Sequence, residues 1–101
     1  MFSTIFLRRL YIMEKIIKDV IKDISEIIKF DSSQKPAEKN APFGAGARKS
    51  LDYFLNLAKS FGFETNDYDG YAGEVIFGEG EEFAILAHLD VVPAGGGWTK
   101  E

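Results

Sequence analysis

The 101-residue sequence has no cysteine, one histidine (His88), one tryptophan (Trp98) and only three prolines. Without cysteine neither a disulfide framework nor a thiolate zinc site can form, so a reducing, cytoplasmic setting is acceptable and stability must come from packing. Basic residues are the minority. Twelve Lys and Arg against 16 Asp and Glu give a net charge of −4 with no basic cluster spanning a face, which argues against nucleic acid as a partner. Long apolar runs are also missing: none approaches the roughly 18 residues of a membrane-spanning helix. The opening stretch "MFSTIFLRRLYI" is apolar, but Arg8 and Arg9 interrupt it and no small-residue cleavage site follows, so it fits a secretory signal poorly. Residues 1–12 read as an upstream extension, and residues 13–101 as one small domain or a portion of a larger one.

From Met13 a regular pattern begins. Ile16, Ile17, Val20, Ile21, Ile24, Ile27 and Ile28 recur at three- and four-residue spacing with charged residues between them, which predicts an amphipathic helix. Its β-branched side chains form helix weakly in isolation, so the stripe is expected to dock against a core. "DSSQKPAEKNAPFG", residues 31 to 44, is rich in polar and turn-forming residues and reads as a connection. A second helix follows with Ala47, Leu51, Phe54, Leu55 and Ala58 on its apolar side. Gly62 is well suited to end it. Then "FET" (63 to 65) and "YAGEVIF" (71 to 77) are strand-like, and "GEGE" (78 to 81) is expected to turn the chain into "EFAILAHL" (82 to 89). That predicts an α/β fold: two helices, a β-hairpin, and a central strand buried on both faces.

His88 comes where the apolar run Phe83 to Ala87 gives out, at the carboxyl end of that expected strand. Carboxyl ends are where α/β sheets present ligand-binding groups. Asp90, two residues on, would face the same side. A carboxylate accepting one imidazole N–H fixes the tautomer and leaves the other ring nitrogen for a metal ion. The three letters alone are weak, because short combinations arise by chance, and on them a strand-end histidine bonded to a neighbour is the better account.

The longer stretch "AHLDVVPAGGGWTKE" narrows the choice. With His88, Asp90, Val92, Pro93, Gly97 and Trp98, it resembles the first metal motif of the zinc-dependent peptidases that include aminoacylases, glutamate carboxypeptidases and succinyl-diaminopimelate desuccinylase. "PFGAGARKSLDYFLNLAKSFGFET" and "DGYAGEVIFGEGEE" look most like the dipeptidase V branch, the Xaa-His and carnosinase-like dipeptidases. The resemblance implies the N-terminal part of a di-zinc peptidase catalytic domain. It implies His88 as a zinc ligand and Asp90 as the active-site aspartate that orients it. Two zinc ions, or other divalent metals, would activate a water that attacks the peptide bond of a dipeptide or short peptide. It leaves a homodimer of the full-length protein open.

Ligand count sets a limit on the chain alone. Catalytic zinc usually takes three protein ligands and a water, and Glu79, Glu81 and Glu82 would sit roughly 20 Å from His88 at the other end of a strand. The expectation is an N-terminal fragment, inactive by itself. Two alternatives stay open: a self-standing non-catalytic α/β binding module, and a related N-acyl amino acid amidohydrolase. "GAGARKS", residues 44 to 50, is no phosphate-binding loop, since Arg48 stands where a glycine is needed before the lysine. Gly44 and Gly46 more simply let the chain turn into the second helix. Ser32 and Ser33 lack a neighbouring histidine in sequence to activate them as nucleophiles. Trp98 would either pack on the site or cover a sheet edge.

Overall fold

A computed structural model describes residues 4–99. Helix α1 spans Thr4–Ile27 and α2 Ala45–Ser60; strands β1 (Glu64–Tyr68) and β2 (Ala72–Ile76) follow. The architecture is mixed α and β: two helices and a two-stranded antiparallel sheet.

α1 passes through Met13 without a break. Phe6, Leu10, Met13 and Ile17 extend the three- and four-residue spacing toward the N-terminus, and Arg8 and Arg9, good helix formers, do not interrupt it. Residues 1–3 of the proposed extension lie outside the described residues. The expected docking of this helix does not occur. α1 touches α2 but buries none of its residues, and Ile16, Ile17, Val20, Ile21 and Ile24 stay exposed. No helix among the described residues is long and apolar enough to cross a membrane.

The core sits where α2 lies on the β1–β2 hairpin, with Leu51, Leu55 and Ala58 buried on one helix face and Ala41 beside them. Ala47 is half-buried on the same side, while Phe54 turns outward. Gly73 of β2 is what lets the sheet approach: a Cβ there would stand 2.8 Å from Leu51 Cδ1 and 2.9 Å from Leu55 Cδ2. The helix ends as its sequence predicts. Gly62 takes φ 87°, its N–H donates to the Lys59 carbonyl at 2.9 Å, and the Phe63 N–H donates to the Ala58 carbonyl at 3.2 Å. Those two bonds make a Schellman end and satisfy carbonyls the helix would otherwise leave open.

The sheet differs from the expected one. β1 pairs with β2, Glu64 opposite Ile76 through Tyr68 opposite Ala72, around a turn in which Asp69 (φ 55°) and Gly70 (φ 77°) both have positive φ. The Tyr71 N–H closes it on the Tyr68 carbonyl at 3.0 Å. Asp-Gly is a preferred pair for such turns, because their twist matches that of the strands. The expected hairpin through residues 78 to 81 does not form, and residues 82 to 89 make no strand. Phe83, Ile85 and Leu86 are exposed, Leu86 at 95%. A buried central strand needs ladder partners and covered faces, and none of the described residues provides either.

Candidate functional site

His88 therefore does not end a buried strand. It lies on an extended, unpaired segment, its side chain 83% exposed and that of Asp90 69% exposed. The two residues are nevertheless together. His88 Nδ1 is 2.9 Å from the Asp90 backbone carbonyl oxygen and 3.2 Å from Asp90 Oδ1. Both partners only accept hydrogen bonds when the carboxyl is ionised, so in the neutral imidazole Nδ1 would carry the proton and donate, leaving Nε2 its lone pair. The pairing expected from strand alternation is thus present although residues 82 to 89 form no strand.

Among the described residues one long-range hydrogen bond ties this segment to the rest of the chain. Ser32 Oγ donates to the carbonyl of Leu89, between the two site residues, at 2.9 Å. Ser32 is only 4% exposed and Ser33 is buried beside it. Asp31 organises this corner: its Oδ1 accepts from Ser33 Oγ at 2.5 Å and from the Ser33 N–H at 3.3 Å, and Lys35 Nζ lies 3.4 Å from its Oδ2. The Ser33 hydroxyl above all, with the Ser33 N–H and Lys35, holds the Asp31 carboxyl below its ordinary range. The first turn of α2 is pressed onto the same corner at Gly46, where a Cβ would come within 1.7 Å of the Asp31 carbonyl oxygen. Gly44, at φ 96°, caps that helix. Both glycines thus serve the turn into α2. Neither serine is paired with an imidazole as a nucleophile would be, since the hydroxyls of Ser32 and Ser33 are given to a carbonyl and a carboxylate.

Trp98 takes neither of its two expected places. Its indole Nε1 donates to the Ala94 carbonyl at 2.8 Å, closing the glycine-rich turn on itself, and the ring stays exposed. Lys100 and Glu101, the last letters of the motif, lie outside the described residues.

A second polar cluster was not legible as a unit. Lys39, Asn40, Arg48, Asp52, Asp67 and Asp69 line an open cleft of about 540 Å³. Arg48 bridges Asp52 of its own helix and Asp67 of β1, and Asp67 Oδ1 also accepts the Gly70 N–H at 2.8 Å. Arg48 holds the Asp67 carboxyl below its ordinary value, with the Gly70 N–H adding to the effect. The hydrogen bonds that Arg48 donates to Asp52 and Asp67 push its guanidinium further up. The arginine that spoils a phosphate loop is thus the tie between α2 and the hairpin. The i,i+4 spacing of Arg48 and Asp52 was readable, but nothing local marks Asp67 as the third member.

Among the described residues no group of three or more His, Cys, Asp or Glu side chains is placed to hold a metal ion. His88 Nε2 and the Asp90 carboxylate fall short of the three protein ligands of a catalytic zinc, and no catalytic step through a metal is derived from them.

No family model matches the chain. Its relatives define a class nonetheless. It is 42% identical over 85 residues to the Beta-Ala-Xaa dipeptidase of Lactobacillus delbrueckii subsp. lactis, a match covering 81% of this chain and 18% of that protein. It is 39% identical over 87 residues to "Putative dipeptidase YtjP" of Bacillus subtilis (strain 168), covering 83% and 19%. It is 43% identical over 84 residues to a "Putative dipeptidase" of Staphylococcus epidermidis, covering 80% and 18%. The chain is a relative of the dipeptidases. It spans about a fifth of the length of these proteins.

Proposed function

We propose that this chain is the part of a metal-dependent dipeptidase that presents its first zinc ligand. The observation that carries the reading is the match to dipeptidases over four-fifths of the chain. His88 supplies Nε2 to the metal, and Asp90, by accepting the Nδ1–H, keeps the ring in the tautomer that leaves Nε2 free. The bound metal would polarise the scissile carbonyl and activate water. The remaining ligands and the general base come from outside the described residues, so the chain alone does not turn over substrate. The dipeptidase names favour the peptide bond over the amide of an N-acyl amino acid.

Zinc titration of the 101-residue chain tests this, followed on the His88 ring resonances and by calorimetry. Weak binding centred on His88 and abolished in His88→Ala is expected, with no hydrolysis of dipeptides such as β-alanyl dipeptides. A tight stoichiometric site, or turnover by the chain alone, would show that the ligand set is complete. The uncovered α1 stripe favours a second reading, a non-catalytic module that docks a partner. Zinc that leaves the His88 ring unperturbed at every concentration would favour that module over the dipeptidase reading.

A further inference from the structure

Residues 78–99 have no ladder. Their hydrogen bonds are local, His88 to Asp90 and Trp98 to Ala94, with one exception. Among the described residues the Ser32 hydroxyl makes the only hydrogen bond from this segment to the rest of the chain, across 57 positions of sequence. We propose that Ser32 is a positioning residue for the His88–Asp90 pair: by donating to the Leu89 carbonyl it fixes where the pair stands on the α2–hairpin unit and which way it faces. The inference rests on the reading of His88 and Asp90 as site residues.

The geometry supports orientation as well as attachment. The Leu89 carbonyl belongs to the planar peptide unit that also contains the Asp90 nitrogen, so a hydrogen bond held at that oxygen restricts the tilt of the unit that leads from Leu89 into Asp90, the second of the two between the site residues. The donor is itself fixed. Ser32 is buried, its N–H donates to the Phe30 carbonyl at 2.9 Å, and the neighbouring Asp31 backbone is wedged against Gly46 of α2. Phe30 in turn meets Tyr53 of α2, ring centroids 5.9 Å apart. The chain of contacts thus runs from the core helix to the peptide unit between His88 and Asp90 without a mobile side chain of several rotatable bonds in it. A serine, with one χ angle before its hydroxyl, suits that task better than a longer donor.

The test is nuclear magnetic resonance of the 101-residue chain and its Ser32→Ala variant. In the wild type, NOEs are expected between the Ser32 β-protons and the Leu89 and Asp90 backbone, with amide order parameters at 89 and 90 near the ~0.85 of rigid backbone. In Ser32→Ala those order parameters are expected to fall below ~0.6 and the residual dipolar couplings of 89 and 90 to collapse, while the amides of the β1–β2 hairpin keep theirs. A general loss of stability would move both sets together. Unchanged couplings at 89 and 90 in the variant overturn the proposal. Should the variant fail to fold, absence of the Ser32–Leu89 NOEs in the wild type overturns it as well. Zinc added to the wild type reports separately: invariant His88 ring resonances sink the ligand reading, whereas the amide couplings judge Ser32 with no metal present.

Discussion

Gly46→Ala should destabilise the protein, although the same change in most helices helps. Gly46 lies in the first turn of α2, and alanine there would gain roughly 0.5 to 1 kcal/mol of helix propensity and unfolded-state entropy. Against this stands the space available. The new Cβ would fall 1.7 Å from the Asp31 carbonyl oxygen and 2.6 Å from its carbonyl carbon. A carbon and a carbonyl oxygen in contact sit about 3.3 to 3.6 Å apart, so helix and loop must separate by more than an ångström. Both clashing groups are backbone, and no rotamer change can relieve the contact. Overpacking of this kind costs about 1 to 3 kcal/mol. Moving Asp31 also disturbs the seat of Ser32, whose buried hydroxyl stands to lose a bond of about 1 kcal/mol.

The net expectation is a loss of about 1 to 3 kcal/mol. With a urea slope of about 1 to 2 kcal/mol/M for a domain of this size, the unfolding midpoint should fall by roughly 0.5 to 3 M. Far-UV circular dichroism in urea measures it. Gly62→Ala is the control, because Gly62 has φ 87° but nothing within 4 Å of its Cβ position. That variant carries only the left-handed backbone penalty, about 1 kcal/mol. A Gly46→Ala protein as stable as the wild type would refute the close approach of α2 to Asp31.

Leu55 is 4% exposed and meets Gly73 of β2, so Leu55→Ala should cost about 2 to 4 kcal/mol and lower the urea midpoint, with the hairpin amides losing exchange protection along with those of α2. Arg48→Gln removes the principal group holding the Asp67 carboxyl down. A depressed carboxyl contributes stability above its unfolded value that is lost as pH falls through its folded value. Wild-type stability should therefore drop in the acid range below pH ~4, and in Arg48→Gln the Asp67 titration, read by carboxyl NMR, should move up toward its ordinary value with a shallower acid loss; an unmoved Asp67 would contradict the bridge. Leu86→Lys should raise the soluble fraction on expression without shifting the urea midpoint, because the side chain is 95% exposed and only interrupts an apolar patch.

What could be read in the sequence was what is encoded within a turn or two. The apolar side of α2 and its end at Gly62 depend on neighbours three or four residues away, and they are present, with Phe54 alone of the expected stripe turned outward. The sheet was misread at the point where local and long-range signals compete. Asp69-Gly70 is a strong hairpin signal, but the strand-like stretch at 63 to 65 stops short of it, because Asn66 and Asp67 are poor strand residues. Asn66 is tolerated on the solvated face of the hairpin, where Asn66 Nδ2 and Tyr68 Oη each donate to Glu74 Oε2 at 2.9 Å, and Asp67, on the other face, is held by Arg48 of α2. Residues 83 to 87 carry the composition of a buried strand, but composition states only what a segment would tolerate. Burial depends on partners, and none of the described residues supplies one.

The candidate site divides along the same line. The contact of His88 with Asp90 spans two residues, so it survives the loss of the expected strand: a different backbone brings the same two groups together. Where that pair stands in the molecule is another matter, settled by a serine 57 positions earlier that no motif or periodicity marks. On the proposed dipeptidase reading, a His-x-Asp segment would specify the chemistry of one ligand and its tautomer, while the geometry of anything built around it would depend on Ser32, Asp31 and Gly46. Substitutions in the motif should change whether a metal is held. Substitutions in the Asp31–Ser33 corner should change where it is held, and so fall on turnover in a complete enzyme more than on metal content.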